Sequence, residues 1–215
     1  MKNKHSDLFI FFAIVYVACV LISNVLATKL ILVFGVAMTG GVIMFPVSYI
    51  IGDILTEVYG RKDAFKVITY GFVCNLVMVL TFYIAIKLPY PDYWMKQDAF
   101  SAILSNTPRL FISSVLGYFA GGLSNSYVMD KMKEKSQKKT SSRSMSLRMI
   151  LSTIIGEYLD TAVFLLIGFI GTISLSEITI MILFQSLAKV VYEVIFVPIT
   201  ITVSRRIAAY EESLS

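Results

Sequence analysis

Apolar residues in this chain do not alternate with polar ones but gather into long runs. Six of these, roughly residues 8–26, 41–59, 64–86, 109–128, 149–173 and 178–203, approach or exceed the ~18–20 apolar residues a helix needs to cross a hydrocarbon core of about 30 Å. The pattern predicts an all-α, polytopic membrane protein with six transmembrane helices in a single transmembrane domain, residues 1–215. Two further stretches are too short to span. The run LILVFGV from Leu30 is expected at the interface or as a re-entrant piece, and residues 98–106 as an interfacial turn of helix before Pro108.

Composition agrees. Hydrophobic residues make up 57% of the chain and charged residues 15%, against about 45–50% and 25% in ordinary globular domains. A soluble enzyme, a disordered segment and a disulfide scaffold are excluded. Lys2 and Lys4 ahead of an apolar stretch mimic a signal peptide. The stretch is too long for an h-region, however, and has no A-x-A-like cleavage site, so it reads as a retained first span. Cys19 and Cys74 fall inside apolar runs, as small buried residues without disulfide or metal.

The net charge of +5 points to no nucleic acid, because the basic residues sit between the apolar runs. Their distribution orients the bundle. With the N-terminus inside, fourteen Lys and Arg fall on the cytoplasmic side and only Lys29, Lys87, Lys96 and Arg109 on the other, a strong positive-inside bias. Tyr90, Tyr93 and Trp94 lie in the external loop, as interfacial aromatics do. Six spans with both termini cytoplasmic is the economical topology. The basic cytoplasmic loop 131–148, KMKEKSQKKTSSRSMSLR, reads as a topology determinant that also meets anionic lipid headgroups.

The informative residues are charges where none should be. Asp53 and Glu57 lie in the second run, Glu157 and Asp160 in the fifth, Lys189 and Glu193 in the sixth. Each costs about 2.5–3.5 kcal/mol at a helix centre, so six facing lipid would cost on the order of 15–20 kcal/mol. They must face the bundle interior, water or one another. Each pair is three or four residues apart and so shares a helix face, with Gln185 extending the stripe of the sixth run. At about 1.5 Å of rise per residue, Asp160 and Lys189 fall within roughly 2 Å of the midplane, and Glu157, Glu193 and Asp53 about 4–6 Å towards the cytoplasm. Glu57 is nearer the cytoplasmic end, where Arg61 could cap it. Transporter substrate sites usually lie near that midplane.

A bland account is that Lys189 pairs with Glu193 or Asp160 and locks the bundle. Five carboxylates against one lysine argue for more, since a structural network would be closer to balanced. The surplus favours a cation, a proton or a donor-rich ligand. Among weaker signals, Asn24 lies near the outer end of the first run and Asn75 in the third; either could simply bond a neighbouring helix. Gly117, Gly121 and Gly122 are expected to let helices approach closely, and Arg109 to snorkel to the outer interface. Pro46 and Pro198 are expected to break or bend their spans. Enzymatic chemistry is poorly supplied: His5 is the one histidine, and there is no H-E-x-x-H, zinc-spaced cysteine pair, nucleophile elbow or Walker A motif. No catalytic residue, metal or cofactor is expected.

Four segments, SNVLATKLI, FPVSYIIGDILTEVYGRKDA, STIIGEYLDT and AKVVYEVIFVP, resemble the VUT family of queuosine-precursor transporters, the YhhQ type, over nearly the whole chain from about residue 23 to 206. The resemblance implies uptake of 7-deazaguanine precursors of a tRNA base across a bacterial inner membrane. In the family the position of Glu157 can carry an amide and those of Gln185 and Glu193 vary, so Asp53, Asp160 and Lys189 carry over best. The implied substrate suits the residues: a carboxylate can accept from the N–H and amino group of a guanine-like edge, and surplus acid would favour an aminomethyl cation.

The resulting expectation is a secondary carrier with alternating access, binding substrate through Asp53, Glu157, Asp160, Gln185, Lys189, Glu193 and Asn24. Its partners would be a small 7-deazapurine and the lipid bilayer; a homodimer is open to a bundle this small. The alternative is a substrate-binding membrane subunit energised by separate ATPase partners.

Overall fold

A computed structural model describes residues 6–135 and 142–214. Lys2, Lys4, His5 and the middle of the basic loop lie outside the described residues. The order is α1 (Asp7–Leu26), β1 (Leu30–Val33), β2 (Val36–Thr39), a 3-10 turn (Gly40–Ile43), α2 (Phe45–Tyr59), α3 (Arg61–Lys87), α4 (Gln97–Leu104), α5 (Thr107–Lys135), α6 (Ser142–Phe169) and α7 (Leu175–Leu214). The chain divides into two compact units. One comprises Met1–Leu30, Thr39–Pro108 and Tyr192–Ser215, the other Ile31–Met38 and Arg109–Val191.

The ends of these elements follow local chemistry. Ser6 caps α1, its Oγ accepting from Phe9 N at 3.1 Å. Pro46 stands at the start of α2, where a missing N–H loses no helical hydrogen bond. It therefore begins that helix and does not bend it. Gly60, at φ 84°, separates α2 from α3, a backbone state open to glycine without penalty. Ser174 and Glu177 form a reciprocal capping box before α7: Glu177 N donates to Ser174 Oγ at 3.3 Å, and Glu177 Oε2 accepts from Ser174 N at 3.0 Å. α7 continues through Pro198, which has no N–H to give the carbonyl one turn back.

The segment expected to lie at the interface or re-enter folds as a two-stranded β-hairpin, β1 paired with β2. Its two-residue loop, Phe34 and Gly35, has φ of 50° and 81°, the signature of a type I′ turn. Phenylalanine holds the place where asparagine is usual, so the sequence carries no ordinary hairpin signal.

Four helices are long and apolar enough to cross a membrane among the described residues: Asp7–Leu26, Arg61–Lys87, Ile150–Phe169 and Leu175–Ser213. α2 has only 15 residues, a rise of about 22 Å. α5 has 29, but its last turns carry Asp130, Lys131, Lys133, Glu134 and Lys135. On α3 the side chains of Val73, Val77, Leu80 and Ile84 are exposed, which suits contact with lipid rather than water. This is an all-α multi-pass membrane protein with one small hairpin.

In the first unit, Phe9, Ile51, Leu55, Ala64 and Val67 form a buried cluster joined by Tyr16 and Tyr59. Glycines bring the elements close. A Cβ at Gly41 would lie 3.1 Å from Ser23 O, and one at Gly40 would lie 2.6 Å from Leu26 O. The cytoplasm-facing end expected from the sequence is tied by Glu211: its Oε1 accepts from Tyr59 Oη at 2.7 Å and from Ser6 Oγ. The Tyr59 ring meets Phe9 edge to face, with centroids 5.0 Å apart.

In the second unit, Leu110, Leu165, Phe169, Ile178 and Met181 are buried. Arg109 caps the end of α6. Its Nε donates to Ile167 O at 2.6 Å and its Nη2 to Ile170 O, satisfying carbonyls that the end of α6 leaves without helical partners.

Candidate functional site

Glu157 and Asp160 stand three residues apart on α6, and Gln185 and Lys189 four apart on α7, so each pair shares a face of its helix. The second unit brings the two faces together. Lys189 Nζ lies 3.3 Å from Glu157 Oε2 and donates to Asp160 Oδ2. The lysine side chain is only 4% exposed, whereas those of Glu157 and Asp160 retain 17% and 24%. The cation is sealed and the accessible part of the triad is anionic. With all three ionised, the triad carries one net negative charge.

This arrangement depends on small residues. A Cβ at Gly117 would lie 2.8 Å from Asp160 O, and one at Gly121 would lie 2.8 Å from Asp160 Cβ. From the other side, a Cβ at Gly156 would lie 3.0 Å from Gly121 O. Glycine therefore lets α5 press onto α6 at the level of the acid pair, the close-approach role small residues take in membranes. Gly122, expected to share that role, has nothing within 4 Å of where its Cβ would be among the described residues.

Gln185 is fully buried one turn before Lys189, beside a buried Ser186 whose hydroxyl donates to Ile182 O at 2.6 Å. Thr161, next to Asp160, is also fully buried, and its hydroxyl has no partner among the described residues.

The other sequence candidates belong to the first unit. Asp53 is exposed on α2 with Thr56 and Glu57, the side of that helix opposite its packed residues Ile51, Ile54 and Leu55. Thr56 Oγ1 is turned back to Gly52 O at 2.8 Å. Arg61 does not cap Glu57; among the described residues no ion pair joins them. Glu193 is half-buried on α7 beyond the division between the units. Asn24 is buried in the last turn of α1, and Asn75 is fully buried on α3. Among the described residues, the side chains of both asparagines lack hydrogen-bond partners.

Sequence reasoning missed the Ser6–Tyr59–Glu211 cluster. Its members stand up to 205 residues apart, and no spacing rule links them. It also gave little weight to Asn75, whose four-residue spacing from Gly71 puts it on the face of α3 that meets Tyr16 and Val20.

Residues 39–203 match the family model described as "Putative vitamin uptake transporter". A protein of Bacillus subtilis (strain 168) named "Probable queuosine precursor transporter" is 25% identical over 149 residues, covering 69% of this chain. The match spans 64% of that relative's own length. No solved structure gives a significant match.

Proposed function

The chain belongs to this vitamin uptake transporter family, and from that premise we propose that it imports queuosine precursors, 7-deazaguanine derivatives, across the bacterial inner membrane. The observation that carries the reading is the triad: a sealed Lys189 holding two carboxylates that stay accessible. The relative's name supplies the substrate class.

The chemistry fits that class. Carboxylate oxygens accept only, and a guanine-like edge offers an N–H and an amino group side by side. Glu157 and Asp160 can each accept from such an edge, and the net negative charge favours a precursor bearing an aminomethyl cation. Lys189 keeps the acids from repelling one another and holds them oriented. In this reading the protein is a carrier and not an enzyme, and its ligand is bound and released unchanged. In this reading it has six spans with both termini in the cytoplasm, and Asp53, Gln185, Glu193 and Asn24 join in substrate binding. It works by alternating access, with protonation of an acid coupling uptake to the proton gradient.

Reconstitution tests this. The purified chain alone in proteoliposomes should take up radiolabelled 7-aminomethyl-7-deazaguanine saturably, and Asp160→Asn should lose that uptake while remaining folded. Uptake that requires an added ATPase would sink the carrier mechanism. Uptake indifferent to a collapsed proton gradient would remove the coupling.

A further inference from the structure

α1 and α3 pack side by side in the first unit, running the same way. At one end Phe9 shares a buried cluster with Ala64 and Val67. Further along, a Cβ at Gly71 would lie 3.6 Å from Val20 Cγ2 and 3.7 Å from Tyr16 Cε1. One turn beyond Val20 stands Asn24, and one turn beyond Gly71 stands Asn75, so the two amides come to the same level of the α1–α3 packing.

Asn24 is 6% exposed and Asn75 is fully buried. Among the described residues, neither Oδ1 nor Nδ2 of either asparagine has a hydrogen-bond partner. Two asparagines on adjacent membrane helices commonly bond to each other; these do not. Buried polar groups left unpaired are rare, because each carries its desolvation penalty without return. Where a sequence keeps two at one level, a functional role is the usual reason.

The donor set indicates what would satisfy them. Each amide presents one carbonyl acceptor and one NH2 donor. A cation would meet the NH2 groups unfavourably, and an anion the carbonyl oxygens. A neutral group with an acceptor beside a donor satisfies both halves of an amide at once. Resting on the functional reading above, we infer that Asn24 and Asn75 form a second recognition point, within the first unit, for the neutral lactam edge of the transported base. The amide pair is selective for the lactam carbonyl with its adjacent N–H, whatever group the rest of the base carries.

Two probes test this: 7-deazaguanine, which has the lactam and the 2-amino group but no cation, and 7-aminomethyl-7-deazaguanine, which adds the cation. Binding to purified full-length protein in nanodiscs is measured for wild type, Asn24→Leu, Asn75→Leu and Glu157→Gln, together with the thermal midpoint of each empty protein. Asn75→Ala is carried alongside in case leucine does not pack. Each asparagine variant should weaken both probes by the same factor, about tenfold for a lost neutral hydrogen bond. Its empty midpoint should be unchanged or raised. Glu157→Gln should weaken the aminomethyl probe by a larger factor than 7-deazaguanine, because it also removes a charge that favours the cation.

Unchanged affinity in the asparagine variants would overturn the inference. So would a fall in the empty midpoint of all three, which would make the amides a structural element. Failure of wild type to bind either probe would instead overturn the functional reading on which the inference rests.

Discussion

Gly117 and Asp160 stand so close that a Cβ on the glycine would lie 2.8 Å from the aspartate's backbone oxygen and 2.9 Å from its Oδ1. Backbone cannot yield as a side-chain tip can, so Gly117→Ala must push α5 away from α6 at the acid pair. Overpacking of this kind costs about 1–3 kcal/mol. We expect a lowered thermal midpoint and at least tenfold weaker precursor binding. Gly122→Ala, with open space around it, should leave both unchanged.

Lys189 is the sealed counter-charge to two carboxylates. Removing one partner of a buried ion pair is strongly destabilising, by about 3–5 kcal/mol, because the remaining charge is left without compensation. Lys189→Gln should therefore express poorly and melt early. Adding Asp160→Asn to it should recover much of the midpoint, whereas precursor binding should stay lost. Melting curves of the single and double variants check this.

Arg109 bridges two carbonyls at the end of α6. Hydrogen bonds from a charged donor contribute about 1.5–3 kcal/mol each, and lysine cannot reproduce the guanidinium fork. Arg109→Ala should lower stability by about 2 kcal/mol or more, and Arg109→Lys by less. The fraction that remains folded should bind precursor with wild-type affinity, which separates a structural role from one in binding.

Glu211 joins the start of α1 to the end of α2 through Ser6 and Tyr59. Tyr59→Phe keeps the edge-to-face contact with Phe9 and removes one hydrogen bond to a carboxylate, a loss of about 1.5–3 kcal/mol. Glu211→Ala should cost at least as much. The double variant should cost clearly less than the two single losses together, because both act on one bond. A thermodynamic cycle measured by thermal or denaturant unfolding provides the check.

The residues of the triad were legible in the sequence because the bilayer makes any buried charge conspicuous. The spacing of Glu157 and Asp160, and of Gln185 and Lys189, also gives each pair one helix face whatever the helix packs against. Spacing carries no information about which faces meet. Lys189 had two partners in view, Glu193 and Asp160, and Glu157 came to it only through the approach of α6 to α7. The glycines had the same ambiguity: Gly121 and Gly122 are adjacent in sequence, yet a Cβ on the first would meet Asp160 and one on the second would meet nothing within 4 Å among the described residues, because neighbours on a helix point about 100° apart.

The sequence by itself determined the class of protein and its helices. Hydrophobic runs of bilayer length, with few charges, leave the backbone no alternative in lipid to bonding within each segment. Tertiary structure alone decided the rest. It placed a hairpin at Phe34 and Gly35, where a phenylalanine with positive φ hides the turn. It made Arg109 a cap for a helix 58 residues away and brought Glu211 to Tyr59 across 152 residues. These contacts depend on how helices pack in three dimensions, and packing is set by the fit of whole surfaces, which local spacing does not encode.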